Sequence, residues 1–359
     1  MFFKSKKNNN NDKVSISIFR KRWRKFKTLK RGYYAFLILT IFYAISFLLP
    51  LFVNHTAVFV KYNGSYYFPM FKSGIYEAGF FGQEGYGEVN YRYLKKKFQE
   101  EGGDNWVLMP IYPYSPNENL LDETQGSPPH KPSAGHIFGT DDRARDVFAR
   151  TVYGFNISIS FALVVTFFAY LIGVTIGSML GFFSGKVDIL GQRLIEIWST
   201  LPFLYVMIIV SSILQPNFIL LVFILTAFSW MGITYYVRGE FYREKARDYV
   251  SAAVSLGAKN RIIIFRHILP NSLTPIISFA PFSIVADISA LVSLDFLGFG
   301  LPPPTPSWGQ LVRQGMTNIE NWWLVAVPLT AMFLTLIAIV FIGEAIREAF
   351  DPKVYSRLR

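Results

Sequence analysis

Long apolar runs without a charged residue alternate along this chain with shorter polar and basic segments. The first run, residues 33–53, contains 21 residues, and a helix of that length crosses the hydrocarbon layer of a bilayer. The longest run, residues 197–237, contains 41 residues and is interrupted at Gln215, Pro216 and Asn217, which divides it into two spans joined by a hairpin. The pattern predicts six transmembrane helices, which fall in residues 33–53, 151–185, the two parts of 197–237, 268–301 and 321–343.

Basic residues set the expected orientation of these spans. Residues 1–32 hold twelve Lys or Arg and one acid, so they supply +11 of the formal charge of +12. A basic segment directly before an apolar span stays on the cytoplasmic side and can touch anionic lipid, which favours an orientation signal over a nucleic-acid-binding arm. Segments 186–193 and 238–266 and the C-terminal end are also basic, so both termini are expected in the cytoplasm. The first run exceeds the apolar stretch of a signal peptide, the basic region before it is too long and no small-x-small cleavage pattern follows, so we expect a retained anchor.

These observations predict an all-α membrane protein with six transmembrane helices and an extracytoplasmic insert between the first two. The insert is balanced in charge and rich in aromatic residues, which indicates a small ordered unit rather than a flexible linker, although its fold cannot be derived from the pattern. The expected divisions are a basic tail 1–32, a first span 33–53, an insert 54–154, a five-span core 155–350 that contains an inner loop 238–267, and a cytoplasmic tail 351–359.

The composition excludes several kinds of chemistry. Hydrophobic residues make up 52% of the chain, which is more than one soluble core of this size needs, and cysteine is absent, so the chain can form neither a disulfide nor a thiolate site. The four histidines lack the spacing of metal ligands, and we predict no metal site. The string Gly181–Lys186 has the wrong spacing for a phosphate-binding loop, so ATP would have to be bound by another chain.

The inner loop between the fourth and fifth spans carries the main candidate site. Its apolar and polar residues follow a helical period, and Gly257 is placed to end one short helix before the next. The adjacent Ala252 and Ala253 would give a small, smooth face that another protein can approach, and Arg247 and Asp248 lie one turn earlier. This pattern suits docking into a groove of a partner protein.

The same loop resembles the inner-loop signature of ABC importer permeases, which reads Glu-Ala-Ala, three residues, Gly, nine residues and Ile-x-Leu-Pro. Ser251-Ala252-Ala253, Gly257 and His267-Ile268-Leu269-Pro270 keep that spacing, with Ser251 in place of the Glu and His267 in place of the Ile. Segments 139–146, 294–300, 307–309 and 344–352 are similar to the dipeptide and oligopeptide branch of the family. The long insert and Asp295 look closest to the Yej-type permeases that import oligopeptides and microcin C.

The resemblance implies a place in a larger machine in the bacterial inner membrane. The chain would be a subunit without covalent chemistry or a cofactor of its own, paired with a second homologous permease subunit. Two ATPase domains, on two chains or one fused chain, would bind ATP-Mg, and a periplasmic peptide-binding protein would deliver the cargo. The expected ATPase-docking residues are Arg247, Asp248, Tyr249, Ser251, Ala252, Ala253, Leu256, Gly257, Leu269 and Pro270.

Two further features of the spans have both a functional and a structural interpretation. Gly173, Gly177 and Gly181 repeat every four residues, which is typical either of a seam along the pathway or of close helix packing in lipid. Asp287 lies within the fifth span and would line the route for a cationic peptide or be hydrogen-bonded between helices.

Polar and aromatic residues near the outer ends of the spans favour structural roles. Asp295 is nearer than Asp287 to the outer end of the fifth span, where a structural role is favoured. Trp308, Trp322 and Trp323 are expected to anchor the outer end of the sixth span at the membrane interface.

Two other classes of protein were weighed against an importer subunit. An ion-coupled secondary transporter would show paired inverted halves, and the chain has a single, unrepeated inner loop. A membrane enzyme would need a nucleophile, a metal set or paired acids at one depth, whereas Asp287 and Asp295 are eight residues apart on one predicted helix. Both alternatives are therefore less favoured than the permease.

Overall fold

The structure is a computed structural model, and it describes residues 18–72, 74–121 and 126–350. The first part of the basic tail, residues 1–17, and the expected C-terminal tail, residues 351–359, lie outside the described residues. The α-helices α1 to α14 are Ile18–Thr28, Lys30–Ser46, Leu49–Phe52, Tyr91–Glu101, Val147–Phe183, Gly185–Ser199, Phe203–Ile213, Phe218–Lys245, Asp248–Ser255, Asn260–Ile262, Leu269–Ile277, Ala280–Leu297, Trp308–Thr317 and Trp323–Phe350. A π-helix spans Ile263–Ile268, and the strands β1 to β3 are Phe59–Tyr62, Ser65–Tyr67 and Trp106–Leu108.

Four helices in the described part of the chain are long and apolar enough to cross a membrane, namely α5, α8, α12 and α14. The pair α6 and α7 is bent by 65° and counts as a fifth span only if the two are one broken span. The predicted first span corresponds to α2, which has 17 residues and is followed by the single turn α3. At about 1.5 Å per residue α2 is shorter than the hydrocarbon layer, so a sixth span remains a prediction.

The boundaries of several predicted spans differ from the structure. Helix α5 begins at Val147, inside the expected insert 54–154, because the side chain of Asp146 caps it by accepting a hydrogen bond of 2.8 Å from the Ala149 amide. Helix α8 continues eight residues beyond Val237 to Lys245, so the first part of the expected loop 238–267 is helical and belongs to the span.

The third and fifth predicted spans are each divided in two. Ile197, where the third was expected to begin, lies in the last turns of α6, and the chain bends at Thr200–Pro202 before α7. A proline supplies no amide hydrogen for a helix interior, so a bend before Pro202 is physically reasonable. The fifth divides into α11 and α12, with Pro281 in the first turn of α12.

Helices α5, α7, α8 and α12 share one hydrophobic core. Phe161 and Val165 of α5 contact Met207 of α7, Leu221 of α8 and Leu291 of α12 within one buried cluster. Helix α2 packs beside α14, and its Tyr43 hydroxyl lies 2.9 Å from the Ser160 hydroxyl of α5. The membrane part is therefore helical throughout its described residues.

The insert has a fold of its own, built on a three-stranded antiparallel sheet of order β2-β1-β3. Val60 pairs with Tyr67 on one side and with Val107 on the other. Helix α4 covers this sheet and buries Leu94 and Phe98 against it, and Phe81 completes the core. The sheet adds a β element that the all-α expectation did not contain, and its residues come from two separate segments, 59–67 and 106–108.

Candidate functional site

The candidate docking site lies where α8, α9, the π-helix and α11 meet. We call this end of the helical part the loop end, and the opposite end, which carries the insert, the insert end. Helix α8 ends at Lys245, α9 follows after two residues, and a turn at Leu256–Gly257 separates α9 from α10. The expected sequence of helix, glycine break and helix is thus what the structure has. Leu269 and Pro270 begin α11, whereas the apolar span α12 begins ten residues later at Ala280.

Helix α9 has one buried and one exposed face. Val250 and Ala253 face inward, with 3% and 9% of their surface exposed, and Val250 packs against Phe241 of α8 and Ile263 of the π-helix. Ala252 is exposed, so the expected shared face of Ala252 and Ala253 is wrong, because adjacent residues point about 100° apart on a helix. The outward apolar residues are instead Val254 and Leu256, which are 58% and 88% exposed.

A polar network fixes the start of α9 to its neighbours. Glu244 is buried near the end of α8 and accepts a hydrogen bond of 2.7 Å from the Tyr249 hydroxyl, and the Arg247 guanidinium lies 3.3 Å from it. The side-chain amide of Asn271 in α11 donates to the Tyr249 hydroxyl at 3.2 Å. Burial and the bond to Glu244 raise the pKa of Tyr249, so it stays a neutral donor near pH 7. Tyr249 therefore links α8, α9 and α11 mechanically.

The remaining predicted docking residues lie on the solvent side of this network. Asp248 and Ser251 are exposed in the first turns of α9. Gly257 has a positive φ of 75°, which a residue without Cβ adopts at low cost, and a Cβ at this position would meet nothing within 4 Å. In the chain by itself the space beside Gly257 is open.

A second network, which the sequence analysis did not identify, ties α6 to α8 at the loop end. The Arg238 guanidinium donates to the Asp188 carboxylate at 2.6 Å, and the Tyr242 hydroxyl donates to the same oxygen. The Lys245 ammonium caps the end of α5 by donating to the Phe182 carbonyl. The three donors, Arg238, Tyr242 and Lys245, are four and three residues apart along α8. Residues at this spacing share one face of a helix, so the spacing could have predicted that they act together.

The glycine repeat lies in the contact between α5 and α8. A Cβ at Gly173 would lie 2.7 Å from the Trp230 carbonyl oxygen, and one at Gly181 would lie 2.8 Å from the Arg238 carbonyl oxygen. Gly177 approaches the Thr234 carbonyl oxygen in the same way, at 2.7 Å. The repeat therefore serves close helix packing within this chain, the second of its two interpretations.

Asp287 and Asp295 are buried within α12. The Asp287 carboxylate accepts a hydrogen bond of 2.7 Å from the Thr166 hydroxyl of α5 and one of 3.4 Å from the Ser229 hydroxyl of α8. Asp287 is therefore held by hydrogen bonds between three helices. That it also lines the transport pathway stays a prediction. Asp295 accepts from the Ser307 hydroxyl and from the Leu301 amide, so it shapes the turn after α12.

At the insert end the segment 139–146 forms a tight turn around a buried ion pair. Asp141 is fully buried and accepts hydrogen bonds from the Arg145 amide at 2.9 Å and from the Arg145 guanidinium at 2.8 Å. Arg150 is also fully buried and donates to the Pro116 carbonyl at 2.9 Å. Ala144 has a positive φ of 56°. This turn joins the insert to the first turn of α5.

Two of the three tryptophans expected at the membrane interface are buried, and the anchoring interpretation is wrong for them. The Trp308 indole donates to the Thr151 carbonyl at 2.9 Å, and the Trp323 indole donates to the Thr140 carbonyl at 3.1 Å. Each is 1% exposed, because each fills the contact between the start of α5 and the last third of the chain. Trp322 is 61% exposed and keeps the anchoring interpretation.

The described residues contain no group of three or more His, Asp or Glu that could hold a metal ion. His136 is buried, and its Nδ1 lies 2.9 Å from the Asp146 carboxylate, so it supports the cap of α5. What the loop end can offer chemically is a shaped surface for another protein.

Residues 173–356 match the family described as binding-protein-dependent transport system inner membrane component. The chain belongs to this family. The match includes the candidate docking site and runs from the glycine repeat of α5 to the end of α14. The match makes this chain a permease component.

Full-length relatives agree with this assignment. The permease is 40% identical over 92% of its length to the inner membrane ABC transporter permease protein YejE of Escherichia coli K12, covering 96% of that protein. It is 37% identical over 93% of its length to the peptidoglycan transport system permease protein YejE of Agrobacterium fabrum C58, covering 93% of it. The dipeptide transport system permease protein DppC of Bacillus subtilis 168 is 34% identical over 69% of this chain and 78% of its own length.

These matches confirm the resemblance to Yej-type permeases of the dipeptide and oligopeptide branch. The permease is a multi-pass inner membrane protein, consistent with four apolar helices long enough to span a bilayer. The alternative of an ion-coupled secondary transporter is not favoured, because the family match includes the loop end and the relatives are ABC permeases.

Proposed function

We propose that this permease forms one half of the membrane pathway of an ATP-driven importer that moves peptides from the periplasm to the cytoplasm. Three of the relatives are named as permeases for dipeptides, oligopeptides or peptidoglycan, and these names share a peptide-containing cargo. Oligopeptides, microcin C-like peptides and peptidoglycan fragments are the cargo classes that a substrate panel should contain.

The surface formed by Val254, Leu256 and Gly257 is the single observation that carries the proposal. An 88% exposed leucine at the end of a short helix is costly in water, and burying it in a groove would contribute about 1.5–3 kcal/mol. We infer that an ATPase subunit supplies that groove and binds ATP-Mg, since this chain has no phosphate-binding loop. Arg247, Asp248 and Ser251 would form the polar rim of the contact, and Ala252 would lie beside them.

The two ends of the helical part indicate where the other components of the importer would bind. A second, homologous permease subunit would complete the pathway, in the manner of type I importers, and a periplasmic peptide-binding protein would deliver cargo at the insert end. Tyr249 would carry the movement of an attached ATPase from α9 to α8 and α11 as a rigid-body change. In this arrangement the loop end and both termini face the cytoplasm, as the basic residues of the sequence predict.

Uptake in a strain that lacks the native gene tests this function. Cells that carry the wild-type permease should accumulate labelled oligopeptides, and the Leu256→Glu variant should accumulate at least tenfold less, because a charge replaces the buried apolar contact. Ile111→Glu is the matched control, since Ile111 is 85% exposed at the insert end and receives the same change. Uptake that stops with a proton ionophore while ATP is maintained would contradict an ATP-driven importer.

A further inference from the structure

The two faces of the small sheet in the insert differ in polarity and in what covers them. Side chains alternate between the faces of a strand, and Val60, Tyr67 and Val107 pack in the core beneath α4. Their neighbours point to the other side of the sheet. These neighbours, together with the residue that follows β2, form a surface that we call the aromatic face: Phe59, Tyr66, Phe68, Trp106 and Leu108.

The aromatic face is ordered by ring contacts and stays open in this chain. The Phe59 ring lies at its centre, with its centroid 4.6 Å from that of Phe68 and 5.3 Å from that of Trp106. The exposed fractions of Tyr66, Phe68, Trp106 and Leu108 are 58%, 49%, 43% and 52%. Lys61 shares this side of the sheet, and its charge is balanced by an ion pair with Asp104. Apolar side chains exposed next to one another indicate a contact surface, unlike ones scattered singly.

The opposite side of the insert is charged. Helix α4 covers the inner face of the sheet with Leu94 and Phe98 and turns its other residues to solvent. The exposed charged residues of α4 are Lys95, Lys96, Glu100 and Glu101. The insert is therefore a thin unit with one aromatic and one charged side, which is the pattern of a protein part that lies flat at a boundary between lipid and water.

The sheet is attached directly to the end of the predicted first span. The Tyr112 amide donates to the Phe52 carbonyl of α3 at 2.9 Å, and the Asn54 amide donates to the Tyr112 carbonyl at 3.2 Å. The Val58 amide donates to the Leu108 carbonyl at 2.9 Å. Strands β1 and β3 have four and three residues, so at roughly 3.4 Å per residue they extend no more than about 14 Å from this attachment.

Exposed apolar side chains lead from the span to the aromatic face. Phe47 and Phe52, which follow α2 and end α3, are 60% and 39% exposed. The Asn156 side-chain amide of α5 donates to the Ser46 hydroxyl at 2.7 Å, and the most apolar part of α5 begins at the next residue. Phe47 therefore lies at the edge of the hydrocarbon layer, and the aromatic face continues the surface that α2 and α3 present to lipid.

We propose that the insert rests on the bilayer surface at the insert end, with the aromatic face between the headgroups and the acyl chains and the charged side of α4 toward water. Aromatic side chains favour that layer of a membrane. The contact fixes the entry to α5 relative to the bilayer, because the Tyr112 hydroxyl donates at 2.7 Å to Asp146, the residue that caps α5. This surface is independent of the transported cargo and of the ATPase.

Spin labelling of the assembled importer in vesicles of phosphatidylethanolamine and phosphatidylglycerol tests the contact. The chain contains no cysteine, so single substitutions Tyr66→Cys and Leu108→Cys place one nitroxide each on the aromatic face, and the wild-type complex gives the background from its other chains. Lys96→Cys on α4 is the matched control within the insert. The labels at 66 and 108 should collide mainly with oxygen, which concentrates in lipid. A water-soluble nickel chelate should reach them roughly tenfold less often than it reaches the label at 96, because entering the apolar layer is costly for a polar reagent.

Two results of this experiment would overturn the proposal. Nickel collisions as frequent at 66 and 108 as at 96 would place the aromatic face in water. Few collisions with either reagent at 66 and 108 would show that another protein covers the face.

Tryptophan fluorescence gives a second measurement that needs no cysteine. Brominated phosphatidylcholine in the vesicles should quench a larger fraction of the emission of the wild type than of Trp106→Phe, because Trp106 is 43% exposed on the aromatic face. Equal quenched fractions in the two proteins would also count against the membrane contact.

Discussion

The contact between α5 and α8 makes a quantitative prediction about Gly177. A methyl group at this position would lie 2.7 Å from the Thr234 carbonyl oxygen and 2.9 Å from the Val237 Cβ, and the backbone oxygen cannot rotate away. The two helices must separate, and overpacking of this kind costs about 1–3 kcal/mol. Alanine also favours the helix over glycine by roughly 1 kcal/mol, which partly masks the steric effect.

Gly232 supplies the control that removes this second contribution. It lies on α8, and a Cβ there would meet nothing within 4 Å, so Gly232→Ala gains the same helix preference without a clash. The free energy of unfolding of Gly177→Ala should therefore be lower than that of Gly232→Ala by about 1–3 kcal/mol. Thermal unfolding of the purified subunit, followed by tryptophan fluorescence, should show a Tm lower by about 1–4 °C. Equal Tm values for the two variants would refute the close contact.

Three further substitutions separate structural from functional roles. Gly257→Trp should abolish transport but leave the subunit inserted, because the open space beside Gly257 would be filled by the ATPase; normal uptake would remove Gly257 from the docking surface. Asp287→Asn keeps an acceptor for the Thr166 hydroxyl but removes the negative charge, so it should selectively reduce uptake of cationic peptides. Unchanged uptake kinetics across a peptide panel would show that Asp287 has only a structural role. Trp308→Phe should lower the free energy of unfolding by about 1–3 kcal/mol, because the Thr151 carbonyl loses its indole donor. Trp322→Phe should lower it by less than about 0.5 kcal/mol. Similar denaturation midpoints for the two variants would contradict the burial of Trp308.

The apolar pattern located the membrane part of the fold because the bilayer imposes a length and a charge limit that a sequence shows directly. It placed the hairpin at Gln215–Asn217 between α7 and α8 and the break at Gly257 correctly. It misplaced the ends of spans wherever a helix continues into water, as α8 does to Lys245. A charged helical turn and a charged loop have the same composition, so hydropathy does not distinguish them.

Contacts between distant segments were beyond the reach of the pattern. Trp308 and Trp323 sit next to a predicted span, and their burial depends on Thr151 and Thr140, more than 150 positions earlier in the chain. The sheet of the insert likewise pairs β1 with β3 across 40 or more residues that carry little periodicity. Such pairings depend on tertiary packing rather than on local preference.

The elements of the inner loop were predicted from the sequence, whereas the direction in which their side chains point was not, and the docking role stays a prediction. The spacing of Ser251, Gly257 and Pro270 identified the loop through its resemblance to a permease signature, and the structure has α9, a turn at Gly257 and α10 there. The end of α8 and the burial of Val250 in one cluster with Phe241 determine which face of α9 points outward. As a result Leu256 is exposed and Ala253 is buried. A loop motif in a sequence specifies an element, and the packing beneath it specifies the surface.

The most direct test of the docking surface is purification of the solubilised permease with its co-purifying chains, from cells that express the wild type, Leu256→Glu or the control Ile111→Glu. The wild type and the control should each recover an ATPase subunit and a second permease subunit. Leu256→Glu should keep the second permease and lose the ATPase, because the exposed leucine at the end of α9 is the contact that we propose the ATPase buries. Recovery of the ATPase in equal amounts with all three, or recovery of this chain alone in each case, would contradict the account.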